Sequence, residues 1–203
     1  MPRIHFLLLP FLAATCYSCS GRRPEAVAED RLPEAVASGQ AQTDEFGFGE
    51  NDTIPVGDVN GDGKKDTAVL FNYEPRSEAD SQYVTVTFGG GIPPIVHKNG
   101  FHGLMADAGD LDGNGTDDII YVPDWYQSNS AGLFIYGYRK NGWIRFAEAS
   151  IRRDIIGGAE DPVAFLKSRV KKIDNRRFRL HEHYMDENTA DIADSVRIVR
   201  IPG

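Results

Sequence analysis

Ten residues recur without a gap, fifty-two positions apart: Gly57-Asp58-Val59-Asn60-Gly61-Asp62-Gly63-Lys64-Lys65-Asp66 and Gly109-Asp110-Leu111-Asp112-Gly113-Asn114-Gly115-Thr116-Asp117-Asp118. Each copy runs straight into a β-prone segment, 67–71 or 119–122, and each follows an aromatic residue and a glycine, Phe48-Gly49 or Phe101-His102-Gly103. Self-similarity at a fixed spacing marks a repeated supersecondary unit, so the chain is constrained to build one turn-plus-strand device twice.

The rest of the chain from residue 44 reads as β structure. Short runs at 67–71, 83–88, 119–122, 133–138, 143–147, 163–166, 178–184 and 196–201 are rich in Val, Ile, Thr, Tyr and Phe, the residues that suit a pleated surface. In 83–88, Val84, Val86 and Phe88 fall on one face. Gly89-Gly90-Gly91, Lys140-Asn141-Gly142 and Asp174-Asn175-Arg176 separate runs as turns, and Asn-Gly between two β runs is a hairpin signal. No long apolar stripe of period 3.6 occurs. The expectation is an all-β chain, a meander of antiparallel strands.

The repeated turn has the chemistry of a hard-cation loop. Calcium takes six to eight oxygens from flexible ligands. Oxygens at positions 1, 3 and 5 of a tight loop converge, a backbone carbonyl at 7 adds one more, and a carboxylate at 9 closes the shell. The first loop would use Asp58, Asn60, Asp62, Asp66 and the carbonyl of Lys64; the second Asp110, Asp112, Asn114, Asp118 and the carbonyl of Thr116. Zinc and copper favour His and Cys, which the loops lack. Magnesium demands stricter octahedral geometry. The plain alternative is a pair of Asx-rich turns with no metal. An EF-hand is excluded on spacing, because position 12 is Val69 in one copy and Tyr121 in the other, both inside β runs.

On these residues the chain resembles the FG-GAP/VCBS repeat family, the calcium-loop repeats of integrin α-subunit propellers and of many bacterial surface proteins. The resemblance covers about residues 46–122. It implies that each loop joins two strands of a propeller blade, and that calcium at the ligand positions given above is structural. A closed propeller needs at least four blades, and one blade per repeat leaves room for about three in 44–203. The expectation is therefore a set of sheets resembling propeller blades, too few for a closed single-chain ring, completed if at all by self-association.

Residues 1–19 look like a targeting segment. Arg3 precedes an apolar run, 6–14, broken by Pro10 and ending in small residues, which is a secretory layout and too short to span a bilayer. The only two cysteines, Cys16 and Cys19, close that segment. Their surroundings resemble a bacterial lipoprotein box. Cys19, followed by Ser20-Gly21, is the preferred lipidation site, Cys16 the second choice, and plain cleavage with secretion the alternative. Residues 20–43 hold Pro24, Pro33 and a run of Ala and Glu, the composition of a linker. The chain would then be exported and lipid-anchored in a bacterial cell envelope, in the periplasm or at the outer membrane or cell surface.

A net charge of −8 lacks the basic footprint of a nucleic-acid binder. No Gly-x-Ser-x-Gly elbow, phosphate loop or nucleophilic cysteine outside the leader occurs, so the chain reads as a non-enzymatic calcium-binding module. Two alternatives stay open. Trp125 and Tyr126 could recognise a glycan or protein, as an adhesion module would, or anchor a loop. A calcium-dependent hydrolase is the third reading. His181 and His183 share a strand face that reads as solvated rather than metal-binding. Arg169, Lys171, Lys172, Arg176, Arg177 and Arg179 read as outward residues of two strands, with a polyanion or headgroup site as the alternative.

Overall fold

The computed structural model describes residues 53–73, 82–124, 128–140, 142–185 and 191–202. The leader, both cysteines, the linker, Phe48-Gly49, Trp125, Tyr126 and Asn141 lie outside them.

The fold is all-β; the described residues form three antiparallel sheets and no closed barrel. The first sheet is the meander β1 (Thr53–Gly57), β2 (Asp66–Tyr73), β3 (Tyr83–Phe88) and β4 (Ile95–Lys98). The second is β5 (Phe101–Gly109), β6 (Asp118–Asp124), β7 (Ser130–Arg139) and β8 (Gly142–Arg152), also in sequential order. Two short helices follow, α1 (Arg153–Gly157) and α2 (Pro162–Ser168). The third sheet is β9 (Val170–Asp174), β10 (Arg177–Met185) and β11 (Ile192–Arg200), with β10 in the middle.

The second sheet is the middle layer. Every residue of β6 is buried. Alternate side chains of a strand point to opposite faces, and β6 serves a core on each. Ile119 and Tyr121, with Met105 of β5, pack against Ile54, Val56, Leu70, Val84 and Val86 of the first sheet. Ile120 and Val122, with Leu133 and Ile135 of β7, pack against Ile156 and Leu166 of the helices and against Phe178, Leu180 and Val199 of the third sheet. A strand buried on both faces reads as an unbroken apolar run, which is why Ile119-Ile120-Tyr121-Val122 shows no alternation.

One expected strand is a helix. Residues 163–166 belong to α2. Asp161 caps it, its carboxylate accepting from the Ala164 N–H at 2.9 Å, and Pro162 takes the first turn, where its missing N–H costs nothing. A four-residue apolar run cannot separate strand from helix by period; the Asp-Pro pair before it is the deciding signal. β7 and β8 pair as the expected hairpin, with Arg139 opposite Gly142 and Tyr138 opposite Trp143; Asn141 itself lies outside the described residues.

Phe178 is fully buried where the third sheet meets the second. Phe178→Ala is expected to lower unfolding free energy by about 3–5 kcal/mol in a urea titration. A loss below about 1 kcal/mol would mean that the third sheet does not pack there.

Candidate metal centre

Each repeated loop joins the first two strands of its sheet, and the two loops have one backbone geometry. Antiparallel pairing reaches the loops through matching irregularities, between Pro55 and Gly57 and between Asp107 and Gly109, and ends at the matching pairs Gly57–Asp66 and Gly109–Asp118. Three glycines in each loop have positive φ: 86°, 76° and 84° at Gly57, Gly61 and Gly63, against 68°, 77° and 90° at Gly109, Gly113 and Gly115. Glycine alone adopts such angles without steric cost.

Six hydrogen bonds also recur at the fifty-two-residue spacing. The carboxylate at position 1 accepts three backbone N–H groups: Asp58 from Gly61, Asp62 and Gly63 at 2.8, 3.1 and 2.9 Å, Asp110 from Gly113, Asn114 and Gly115 at 2.6, 3.1 and 3.1 Å. Position 3 accepts from the N–H of position 5, at 2.9 Å in both loops. Position 5 accepts from the N–H of position 7, Lys64 to Asp62 at 2.9 Å and Thr116 to Asn114 at 2.7 Å. Position 9 reaches back to the N–H of position 2, Val59 to Asp66 at 2.9 Å and Leu111 to Asp118 at 2.8 Å. Each loop is thus a tight turn in which side-chain oxygens at positions 1, 3, 5 and 9 accept the loop's own backbone N–H groups.

The loops differ in charge placement. In the second, ligand oxygens of Asp110, Asp112 and Asp118 lie within 4.8 Å of one another, the only such acidic group among the described residues. The equivalent positions of the first loop are Asp58, Asn60 and Asp66, two carboxylates and an amide. At position 5 of the second loop, the Asn114 amide nitrogen lies 3.3 Å from Asp112 Oδ2. The Lys64 and Thr116 N–H groups are placed by the turn, and the Thr116 hydroxyl donates to Asn114 Oδ1 at 2.6 Å.

Asp118 is fully buried, and its Oδ1 has no hydrogen-bond partner. Burial pushes its carboxyl up to about 7; the charges of Asp112 and Asp110 push the same way, while the Leu111 N–H and Arg139 oppose them. A donor set of hard oxygens with one buried oxygen left unsatisfied fits a calcium-type cation.

Residues outside the ligand positions surround the site, and the sequence reading missed these contacts. Arg139, from the end of β7, places Nε and Nη2 each 2.6 Å from Asp112 Oδ2 and its other amine 2.8 Å from the Pro202 carbonyl. Lys172 of β9 donates to the Asp110 carbonyl. Asp117 joins the loops: its Oδ2 accepts the Asp58 N–H at 2.8 Å, and its N–H donates to the Asp58 carbonyl at 2.7 Å. A Cβ on Gly57 would sit 2.5 Å from that Oδ2, so this contact needs glycine twice over, for space and for φ. The one available sequence signal was that Asp117 matches Lys65, a charge reversal inside an otherwise conservative repeat.

Three histidines pack within the described fold. His183, read above as solvated, is buried; its Nδ1 accepts the Arg152 N–H at 3.2 Å and its Nε2 lies 3.2 Å from Asp194. His102 is buried against Asn72, whose Oδ1 accepts the His102 N–H at 2.6 Å. His97 packs on Phe134, with ring centroids 4.6 Å apart, and burial lowers its pKa. It lines a cavity of about 260 Å³ together with Ser130, Gly132 and Asp124, and Asp124 is engaged by Arg153 at 2.6 Å. Among the described residues, no helix is long and apolar enough to cross a membrane.

Comparison with family models, curated proteins and solved structures returns no match.

The raised Asp118 carboxyl has a pH consequence in the metal-free protein. Between about pH 4, where an unfolded Asp titrates, and about 7, the folded chain holds a proton that the unfolded chain has released. This group's contribution is therefore full below the window and is lost as pH rises through it. In chelator, urea unfolding at several pH values is expected to show that decline, and Asp118→Asn to flatten it. An unchanged slope in the variant would place the titration elsewhere.

Proposed function

We propose that the 57–66 and 109–118 loops bind calcium, that the ions are structural, and that the chain is a non-enzymatic calcium-binding lipoprotein of a bacterial cell envelope. The observation that carries this reading is the second loop, in which Asp110, Asp112 and Asp118 converge and Asp118 keeps a buried oxygen without a partner. Asp58, Asn60, Asp62 and Asp66, with the carbonyl of Lys64, are the first ligand set. Asp110, Asp112, Asn114 and Asp118, with the carbonyl of Thr116, are the second. The recurrence of six hydrogen bonds supports treating the loops as two copies of one device, in keeping with the FG-GAP/VCBS resemblance. The ion supplies positive charge at a point where three carboxylates meet; the loop residues hold the turn and fix the first residue of the next strand.

Asp58 and Asp110 each accept three backbone N–H groups, so their loss costs stability with or without metal. The discriminating quantity is the increment that calcium adds. At calcium ten times the Kd, each site should contribute about 1.4 kcal/mol. The difference between melting in calcium and in chelator is expected to shrink in Asp58→Asn and in Asp110→Asn and to vanish in the double variant. An equal increment in wild type and double variant would remove the metal role.

The envelope reading rests on the leader and Cys19. Membrane fractions washed in high salt, which strips electrostatically held protein, are expected to retain the wild-type chain, and Cys19→Ser to release it to the soluble exported fraction. Release by Cys16→Ser alone would move the lipid to Cys16, and no release by either, singly or together, would remove the anchor.

A further inference from the structure

The outer face of the third sheet carries charges that folding alone does not explain. Cross-strand register sets Arg179 opposite Lys171 on one side, and Arg177 opposite Arg200 on the other. Like charges directly opposite each other destabilise a sheet. Arg177 is offset by Asp174, 2.7 Å away. The side chains of Lys171, Arg179 and Arg200 are exposed, and none makes an ion pair among the described residues. Aliphatic side chains lie between these cations. Ile198 sits opposite Arg179 and Val196 opposite His181; they are 59% and 52% exposed, and Ile173 on β9 is 41% exposed. At the lower end of this face, Arg176, Arg177 and Arg200 line an open depression of about 850 Å³.

We infer that this face docks on an anionic phospholipid bilayer. The exposed aliphatics enter the boundary between headgroups and acyl chains, while Lys171, Arg179 and Arg200 meet lipid phosphates and Arg176 reaches them across the depression. Charge complementarity selects the occupant. A second copy docking face to face would set these cations against themselves. A soluble polyanion would satisfy the cations and leave the aliphatics wet. A bilayer surface uses both, as interfacial protein surfaces do, and each cation near an anionic leaflet favours binding by a substantial factor. The inference is independent of the acyl anchor and of calcium.

The test uses the full chain carrying Cys16→Ser and Cys19→Ser, so that no acyl chain is present; its apolar leader is common to every variant. Partition is measured on vesicles of phosphatidylcholine alone and of phosphatidylcholine with phosphatidylglycerol. A preference for the anionic vesicles is expected, falling about fivefold for each cation removed in Arg179→Gln and Arg200→Gln and falling as salt shortens the screening length. The salt series needs no variant and stands even if one fails to fold. Val196→Ser with Ile198→Ser is expected to weaken partition while leaving the salt dependence in place. Equal partition on both vesicle types would overturn the inference. So would anionic binding indifferent to the serine variants and abolished by competing inositol hexaphosphate, which would assign the face to a soluble polyanion. A dimer in solution that the Ile198→Ser change dissociates would assign it to a second copy.

Discussion

The stack depends on how the chain enters β6. This strand has no solvent-facing side, so its first residue must fix register and satisfy the turn before it. Asp118 does both: it pairs with Gly109 in the ladder while its carboxylate accepts the N–H of Leu111, seven residues back. A one-residue slip would exchange the two faces of the strand, moving Ile119 and Tyr121 into the core of Ile120 and Val122. The acidic side chain is therefore a register pin, and the cost is a buried carboxylate among other carboxylates. Asp66 plays the same part at the start of β2, where partial exposure makes that cost smaller.

Much of the fold was legible because turn chemistry and β-branched runs agree. β3 coincides with the run 83–88, and the β7–β8 hairpin lies where Asn141-Gly142 places a turn. The strands that escaped notice lack that agreement. β1 contains Pro55, tolerated because β1 is an edge strand. β4 has four residues. β5, with the sequence FHGLMADAG, is rich in Gly and Ala and carries two irregularities in its pairing; tertiary burial, not propensity, makes it a strand. β9, read only as one of two strands flanking the 174–175 turn, places exposed lysines in the middle of its run. The error at His183 has a similar source. Alternation assigns a face, but it does not reveal that the end of β8 will lie over one part of that face.

The loops were legible as a pair of matching tight turns leading into strands, since the six recurring hydrogen bonds all lie within the ten-residue repeat. What surrounds them was not. Arg139, Lys172 and Asp117 approach from strands and loops distant in sequence, and no spacing rule couples position 139 to position 112. The basic stretch 169–179 was read as uniformly outward. The register instead divides it: Lys172 turns toward the Asp110 carbonyl, while Lys171 and Arg179 face solvent. Ordinary alternation makes the division: Lys172 pairs with buried Phe178 and Lys171 with exposed Arg179.

The two loops then answer one electrostatic problem in different ways. Each places three carboxylates at the proposed ligand positions, Asp58, Asp62 and Asp66 in one and Asp110, Asp112 and Asp118 in the other. The second loop has a resident counter-charge, because Arg139 is bound to Asp112, whose side chain is only 1% exposed. Nothing comparable stands over the first: Asp58, Asp62 and Asp66 have no ion pair among the described residues, although Lys64 and Lys65 lie within the loop. On the calcium reading, the second loop offers the tighter oxygen cluster but must share Asp112 with a guanidinium. The first offers a looser cluster with its charge uncompensated and more water to screen it. Preorganisation and free charge are thus divided between the copies, and Asp117, bonded to both the N–H and the carbonyl of Asp58, joins the backbone of one loop to the other.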